Sequence, residues 1–205
     1  AQQSRRQVVY IETNKQLKGM KFLGRLYDFI ISNEPVVVTY HSFKASRDSR
    51  FSLSPYLLKE FNNRWFIIGY CNKSKDIMTL ALDRIVAVSK DEEGEYTENT
   101  FFNPEEYLGA MVGVTRDIRS ETERVVLKVD ADQAPYVLTK PLHGSQTLQE
   151  TLEDGSIVLS LDVIVNYELE RLILGFGSHI EVLSPRLLRH HIACHVIIAA
   201  SKYRK

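Results

Sequence analysis

Hydrophobic positions along this chain follow two different periods, and the switch between them outlines the architecture. Leu17, Met20, Leu23 or Leu26, Tyr27, Ile30 and Ile31 recur at helical spacing. Pro35 then turns the chain out of the helix. Ahead of that helix the short apolar run Val8-Val9-Tyr10-Ile11 reads as a strand. From Val36 to about Ser89 the pattern becomes strand after strand. Val36–Tyr40 is β-rich. Arg50–Phe61 alternates in part, and Pro55 within it implies an edge position or a bulge. Asn62-Asn63 suits a two-residue hairpin, because Asn tolerates positive φ. Arg64–Cys71 is the return strand, and Ile77–Leu82 and Ile85–Val88 supply two more. Five short strands joined by tight turns predict a small barrel.

Beyond an acidic stretch around Glu92-Glu93-Gly94 the rhythm changes again. Asn103-Pro104-Glu105-Glu106 starts a helix, with Asn as cap, Pro in the first turn and acids at its positive end. That helix is expected to run to Met111 and to bridge to the next unit. Strands are predicted at Arg124–Val129, Thr147–Leu152 and Ser156–Val165, the last two joined through Asp154-Gly155, a strong hairpin signal. A short helix over Ala131–Leu138 precedes that hairpin. Asn166 caps another helix that Gly175 and Gly177 end. His179–Leu183 is a strand, and a final helix runs from Ser184-Pro185 to about Tyr203. The order β-α-β-β-α-β predicts a ferredoxin-like α/β sandwich. The fold class is therefore α+β. The expected segments are 1–34 as a linker strand and helix, 35–111 as the barrel with its bridging helix, and 112–205 as the sandwich.

Composition narrows the class without naming a function. The 205 residues are 44% hydrophobic and 25% charged, an ordinary globular balance. No apolar run nears the ~18 residues of a membrane span, and the polar start AQQSRRQ is no signal peptide. Cys71 and Cys194 stand alone and read as free thiols of a cytoplasmic protein. Net charge is zero, but it is unevenly spread. Lys44, Arg47, Arg50, Lys59, Arg64, Lys73 and Lys75 face only Asp48 and Glu60 between residues 41 and 75. The sign reverses from Lys90 to Glu106. Basic side chains interleaved with aromatics on a small sheet suit a nucleotide or single-stranded nucleic acid. Two solvated faces of opposite sign would give the same pattern.

No catalytic signature is present: no GxSxG, Walker loop, GxGxxG or HExxH. The chain reads as no enzyme, with no cofactor. His191 and His195 share a helix face four residues apart, beside His190 and Cys194, but a third metal ligand is missing. His195 falls within the apolar stripe Leu188, Ile192, Val196, Ala199 and Tyr203, which favours packing over metal.

Trp65-Phe66-Ile67 and Leu82-Asp83-Arg84-Ile85 resemble the WYL domain family, named for a Trp-Tyr-Leu run. The likeness extends to Ser54-Pro55-Tyr56-Leu57-Leu58, the turn Asn62-Asn63-Arg64, Gly69-Tyr70 and the strand-ending Tyr40. Ile180–Pro185 and the helix after it look like the family's usual C-terminal extension. The resemblance implies an Sm-like, SH3-type barrel in a bacterial transcription regulator, one that senses a nucleotide or single-stranded nucleic acid. It maps a ligand site onto Tyr40, Ser54, Tyr56, Trp65 and Arg84, with Arg50 and Arg64 nearby. Phe66 and Ile67 depart from the Tyr and Leu of the family name, and Phe66 lacks the hydroxyl. On its own spacing, Trp65 reads as core more than as a stacking surface.

Only one helix fits before residue 35, and a helix-turn-helix needs at least two. The family's DNA-binding head is therefore expected upstream, with DNA a partner through it. Helix faces at 17–31 and 188–203 predict a homodimer. A stand-alone nucleic-acid-binding barrel is the alternative reading.

Overall fold

The computed structural model describes residues 17–116 and 120–204. The strand expected at Val8–Ile11 lies outside them. The chain divides into two units, Ala1–Thr100 and Phe101–Lys205. The boundary places the helix after Asn103 in the second unit.

In the first unit, helix α1 (Leu23–Ile31) precedes strands β1 (Val36–Tyr40), β2 (Ser49–Phe61), β3 (Arg64–Cys71), β4 (Asp76–Ala81) and β5 (Ile85–Lys90). The strands form one antiparallel sheet in the order β4-β3-β2-β1-β5. Among the described residues β4 and β5 are its two edges, so the sheet is open where a closed barrel was expected. Pro55 sits in an interior strand, and the register shifts between Pro55 and Leu57, the bulge that a ring without an N–H demands. Gly69 lies opposite. A Cβ there would meet the Ser54 carbonyl oxygen at 2.5 Å, so the close approach of the two strands requires glycine. Asn62 and Asn63 both take positive φ, 50° and 59°, which turns β2 into β3 in two residues.

Alternation sends Val36, Val38 and Tyr40 of β1, Leu53 of β2, Ile67 and Cys71 of β3 and Leu80 of β4 to one buried face. Helix α1 covers that face with Leu26 and Phe29, and Phe22, Leu23 and Ile30 pack against its edge. This revises the helical face read from spacing. Tyr27 and Ile31 are 56% and 66% exposed, because the helix turns Leu26 and Phe29, three residues apart, toward the sheet. Gly19, at φ +87°, lies directly on the turn after β4. A Cβ there would fall 2.2 Å from the Leu82 carbonyl oxygen.

The second unit opens with α2 (Pro104–Gly109), capped as expected. The Asn103 side chain accepts hydrogen bonds from the backbone N–H of Glu105 at 3.0 Å and of Glu106 at 3.4 Å. Then come β6 (Thr122–Val129), α3 (Ala134–Thr139), β7 (Thr147–Thr151), β8 (Ile157–Ile164), α4 (Tyr167–Gly175), β9 (Ile180–Ser184) and α5 (Arg186–Tyr203). The sheet order is β7-β8-β6-β9, antiparallel throughout, which is the split βαβ interleaving. Val125, Leu127 and Val129 alternate into the core, as do Ile157, Leu159, Leu161 and Val163. They are joined there by Val137, Leu169, Ile173, Leu188 and Ile192 from the three helices. No helix among the described residues is long and apolar enough to cross a membrane.

Two glycine substitutions test the packing of the first unit. Gly19→Ala forces a strained φ and a clash with Leu82, and should lower stability by about 2 kcal/mol or more. Gly24→Ala, in α1 with nothing within 4 Å of its Cβ position, should raise it by up to ~1 kcal/mol. Urea unfolding should show the two midpoints moving in opposite directions.

Candidate ligand-binding site

The seven side chains singled out by resemblance fall into two groups on the first unit. One group gathers at the turn Leu82–Arg84, a single 3-10 turn between β4 and β5. Arg84 follows Asp83, whose Oδ2 forms an ion pair with Arg64 Nε at 3.2 Å. The Arg84 carbonyl accepts the His41 N–H at 2.9 Å, which ties the turn to the end of β1 and so to Tyr40. Tyr40 itself is buried, edge-on to Phe51 with ring centroids 6.2 Å apart. Trp65 is half-buried and packs on the same core face as Ile67, in keeping with a core role.

This turn is electrostatically unfinished. The Asp83 carboxylate is 11% exposed, yet its Oδ1 has no hydrogen-bond partner, and neither has the buried Nε of Arg84. Buried polar atoms are nearly always paired, so two orphans on neighbouring residues set this turn apart within the first unit. The Arg84 guanidinium lies 4.5 Å from the centroid of the Phe43 ring. Phe43 was missed in the sequence. Its signal was weak: one aromatic in a polar loop, with its partner Arg84 some forty positions on.

The second group, Ser54 and Tyr56, holds down the acidic segment after β5. Ser54 is fully buried, and its Oγ accepts the Thr97 N–H at 2.8 Å. Tyr56 donates its hydroxyl to the Thr97 carbonyl at 2.8 Å and meets the Tyr96 ring edge-on. Tyr96 in turn donates to the Pro55 carbonyl, and Asn72 to the Glu95 carbonyl. Burial, then the neighbouring Tyr96 and Tyr70, push the Tyr56 phenol up to about 12. The predicted ligand residues Ser54 and Tyr56 are thus engaged by the protein's own backbone at Thr97. Arg50 is exposed and lies on the Ser54 face of β2, away from the buried face that carries Tyr40.

Two further sequence readings have their outcome here. Lys59, counted in the basic stretch, is half-buried, and desolvation draws its ammonium pKa down. His195, read as lying in the buried stripe of α5, is exposed, because only the N-terminal part of that stripe, Leu188 and Ile192, is covered. His191 contacts Glu170 at 3.0 Å, His190 contacts Cys194 at 3.6 Å, and no metal-holding cluster occurs among the described residues.

An open antiparallel sheet carrying an arginine turn, followed by a split βαβ unit, defines a two-unit protein. Family models match both units, the WYL domain over residues 21–89 and the WCX domain over residues 121–196. The first unit thus carries a WYL domain and the second a WCX domain. Among solved structures, it is similar to a CRISPR Cas-related protein, with 13% identity and a TM-score of 0.56, covering 90% of this chain and 52% of that one. It also matches the proteasome accessory factor B/C (PafBC) of Arthrobacter aurescens, with 14% identity and a TM-score of 0.39, over 95% of this chain and 29% of that one. The chain thus spans about half of the first and under a third of the second. No curated relative matches it in sequence.

The Tyr56 environment gives a pH test. A phenol raised above its ordinary value of 10 adds stability that is full below pH ~10 and lost as pH climbs toward 12. Tyrosinate absorbance should therefore show a late ionising fraction in the folded protein, and Tyr56→Phe should reduce it, leaving the share of Tyr96, which burial also raises. A variant curve superimposable on the wild type would contradict the buried, bonded hydroxyl.

Proposed function

We infer that this chain is the effector-sensing and dimerisation part of a bacterial transcription regulator of the WYL class. The observation that carries the reading is the join of a WYL domain to a WCX domain, with Arg84 of the WYL domain held beside orphaned polar atoms. The effector is a nucleotide or single-stranded nucleic acid, recognised by Arg84 with Tyr40, Trp65 and Arg64 around it and Arg50 beyond them, while Ser54 and Tyr56 take part only when the Thr97 segment is displaced. The anionic phosphate satisfies the arginine, and the sheet supplies a rigid seat. The module is a sensor and not a catalyst, and its compartment is the cytoplasm. DNA is bound by a helix-turn-helix joined to this module, and the effector acts by favouring one arrangement of the linked domains.

A second reading, a stand-alone nucleic-acid-binding protein, is favoured by the exposed cations Lys44, Arg47 and Arg50. It differs in needing no change of state on binding.

Two experiments check these claims. Titration with mononucleotides, cyclic dinucleotides and short single strands should show saturable binding that Arg84→Ala weakens about 10- to 100-fold, the loss of a charge-assisted contact. Equal affinity in the variant would remove Arg84 from the site. For dimerisation, the exposed Val196, Ile197, Ile198 and Tyr203 of α5 suit a second copy of the chain. Sedimentation should show a dimer that Ile197→Glu with Ile198→Glu converts to monomer. A wild-type monomer at high concentration would contradict it.

A further inference from the structure

The loop between β1 and β2 adds Phe43, Lys44 and Arg47, none of them among the WYL-site residues, to two that are, Arg84 and Arg50. Phe43 stands in it 70% exposed. A single exposed aromatic is ordinary, but this one is oriented. The Arg84 guanidinium lies over one face, 4.5 Å from the ring centroid, in cation–π contact. With that face covered, the exposure belongs to the opposite face and the edge. Lys44 and Arg47 follow in the same loop and Arg50 is the second residue of β2, all three exposed. The one acid in this stretch, Asp48, is engaged by His41 Nδ1 at 2.7 Å. An open, pre-oriented aromatic face is therefore followed within seven residues by three exposed cations, and the one acid among them already has a partner.

We propose that this loop is a stacking arm for single-stranded nucleic acid. One base stacks on the open face of Phe43, and the adjoining phosphates lie along Lys44, Arg47 and Arg50. The proposal rests on the effector reading above and narrows it from a nucleotide or a strand to a strand. The reason is geometric. An exposed ring offers one stacking face and no walls, so a lone nucleotide gains a single weak contact there. A strand adds phosphate contacts to several cations at once, and each releases counterions. Arg84 serves both parts: its guanidinium steadies Phe43 from beneath, and its Nε stays at the turn without a hydrogen-bond partner. A base on the outer face extends that stack to three layers.

The test uses the full 205-residue chain and a fluorescently labelled oligothymidylate of about ten nucleotides, within the span that a small barrel covers. Anisotropy should show binding that weakens with salt. Phe43→Ala should weaken it roughly 5- to 100-fold, the worth of one base–aromatic stack. Phe43→Trp should restore or exceed wild-type affinity, whereas Phe43→Leu, apolar but without a π-face, should not. Lys44→Gln with Arg47→Gln should flatten the slope of log K against log salt by about 1.4, two single-strand phosphate contacts. Since Phe43 is exposed, all of these variants should keep the wild-type unfolding midpoint. Wild-type affinity in Phe43→Ala overturns the proposal, and so does full rescue by Phe43→Leu. Binding of anionic lipid vesicles in place of oligonucleotide overturns it too. If a mononucleotide or cyclic dinucleotide binds but no strand does, the effector reading stands and the stacking arm falls. If none binds, both fall.

Discussion

Strand β1 is the constraint on which the first unit depends. It pairs on both sides, with β2 and with β5, so its alternation cannot slip without turning Val36, Val38 and Tyr40 out of the core. That register fixes where the strand ends. At Tyr40 the ladder with β5 shifts, and the next residue, His41, bonds to the Arg84 carbonyl. The chain leaves the sheet at that point with Phe43 against the Arg84 side chain. Hydrophobic alternation along five residues thus positions a charged turn that is far away in sequence.

The rest of the unit supports that placement from behind. Helix α1 seals the buried face with Leu26 and Phe29, and each buried apolar side chain of this size contributes about 1.5–3 kcal/mol. Gly19 lets the chain before α1 pass against the Leu82–Asp83 backbone, a contact that a side chain would prevent. The arginine turn is therefore backed by rigid structure while its polar atoms stay unsatisfied. On the neighbouring strand the segment around Tyr96 and Thr97 occupies Ser54 and Tyr56 through backbone bonds. A ligand that used all seven predicted residues would have to displace that segment. One that used the turn and the loop would not.

Much of the fold was legible because local rules and tertiary structure agree. Asn62-Asn63, Asn103-Pro104, Asp154-Gly155 and Asn166 each carry their own turn or cap chemistry, so the elements they bound fall within a few residues of expectation. The helix before Pro35 was legible in extent but not in face. Tyr27 and Ile31 fit a helical stripe as well as Leu26 and Phe29 do, and only the sheet decides between them. The ligand site was legible in part. Arg84 and its motif stand out, but Phe43 acquires meaning only when the turn folds back on the β1–β2 loop. The engagement of Ser54 and Tyr56 by Thr97 was likewise hidden, since it runs through backbone atoms more than forty residues away.

The central claim is that nucleic-acid chemistry meets this protein at the end of β1 and the turn after β4, and not on the polar face of the second unit's sheet, where Arg124 and Lys128 lie. Amide chemical-shift mapping of the labelled chain with a short single-stranded oligonucleotide tests this most directly. The account predicts shifts concentrated at residues 41–50 and 82–85. Shifts confined to β6 and β8, or spread evenly over every exposed cation, would contradict it.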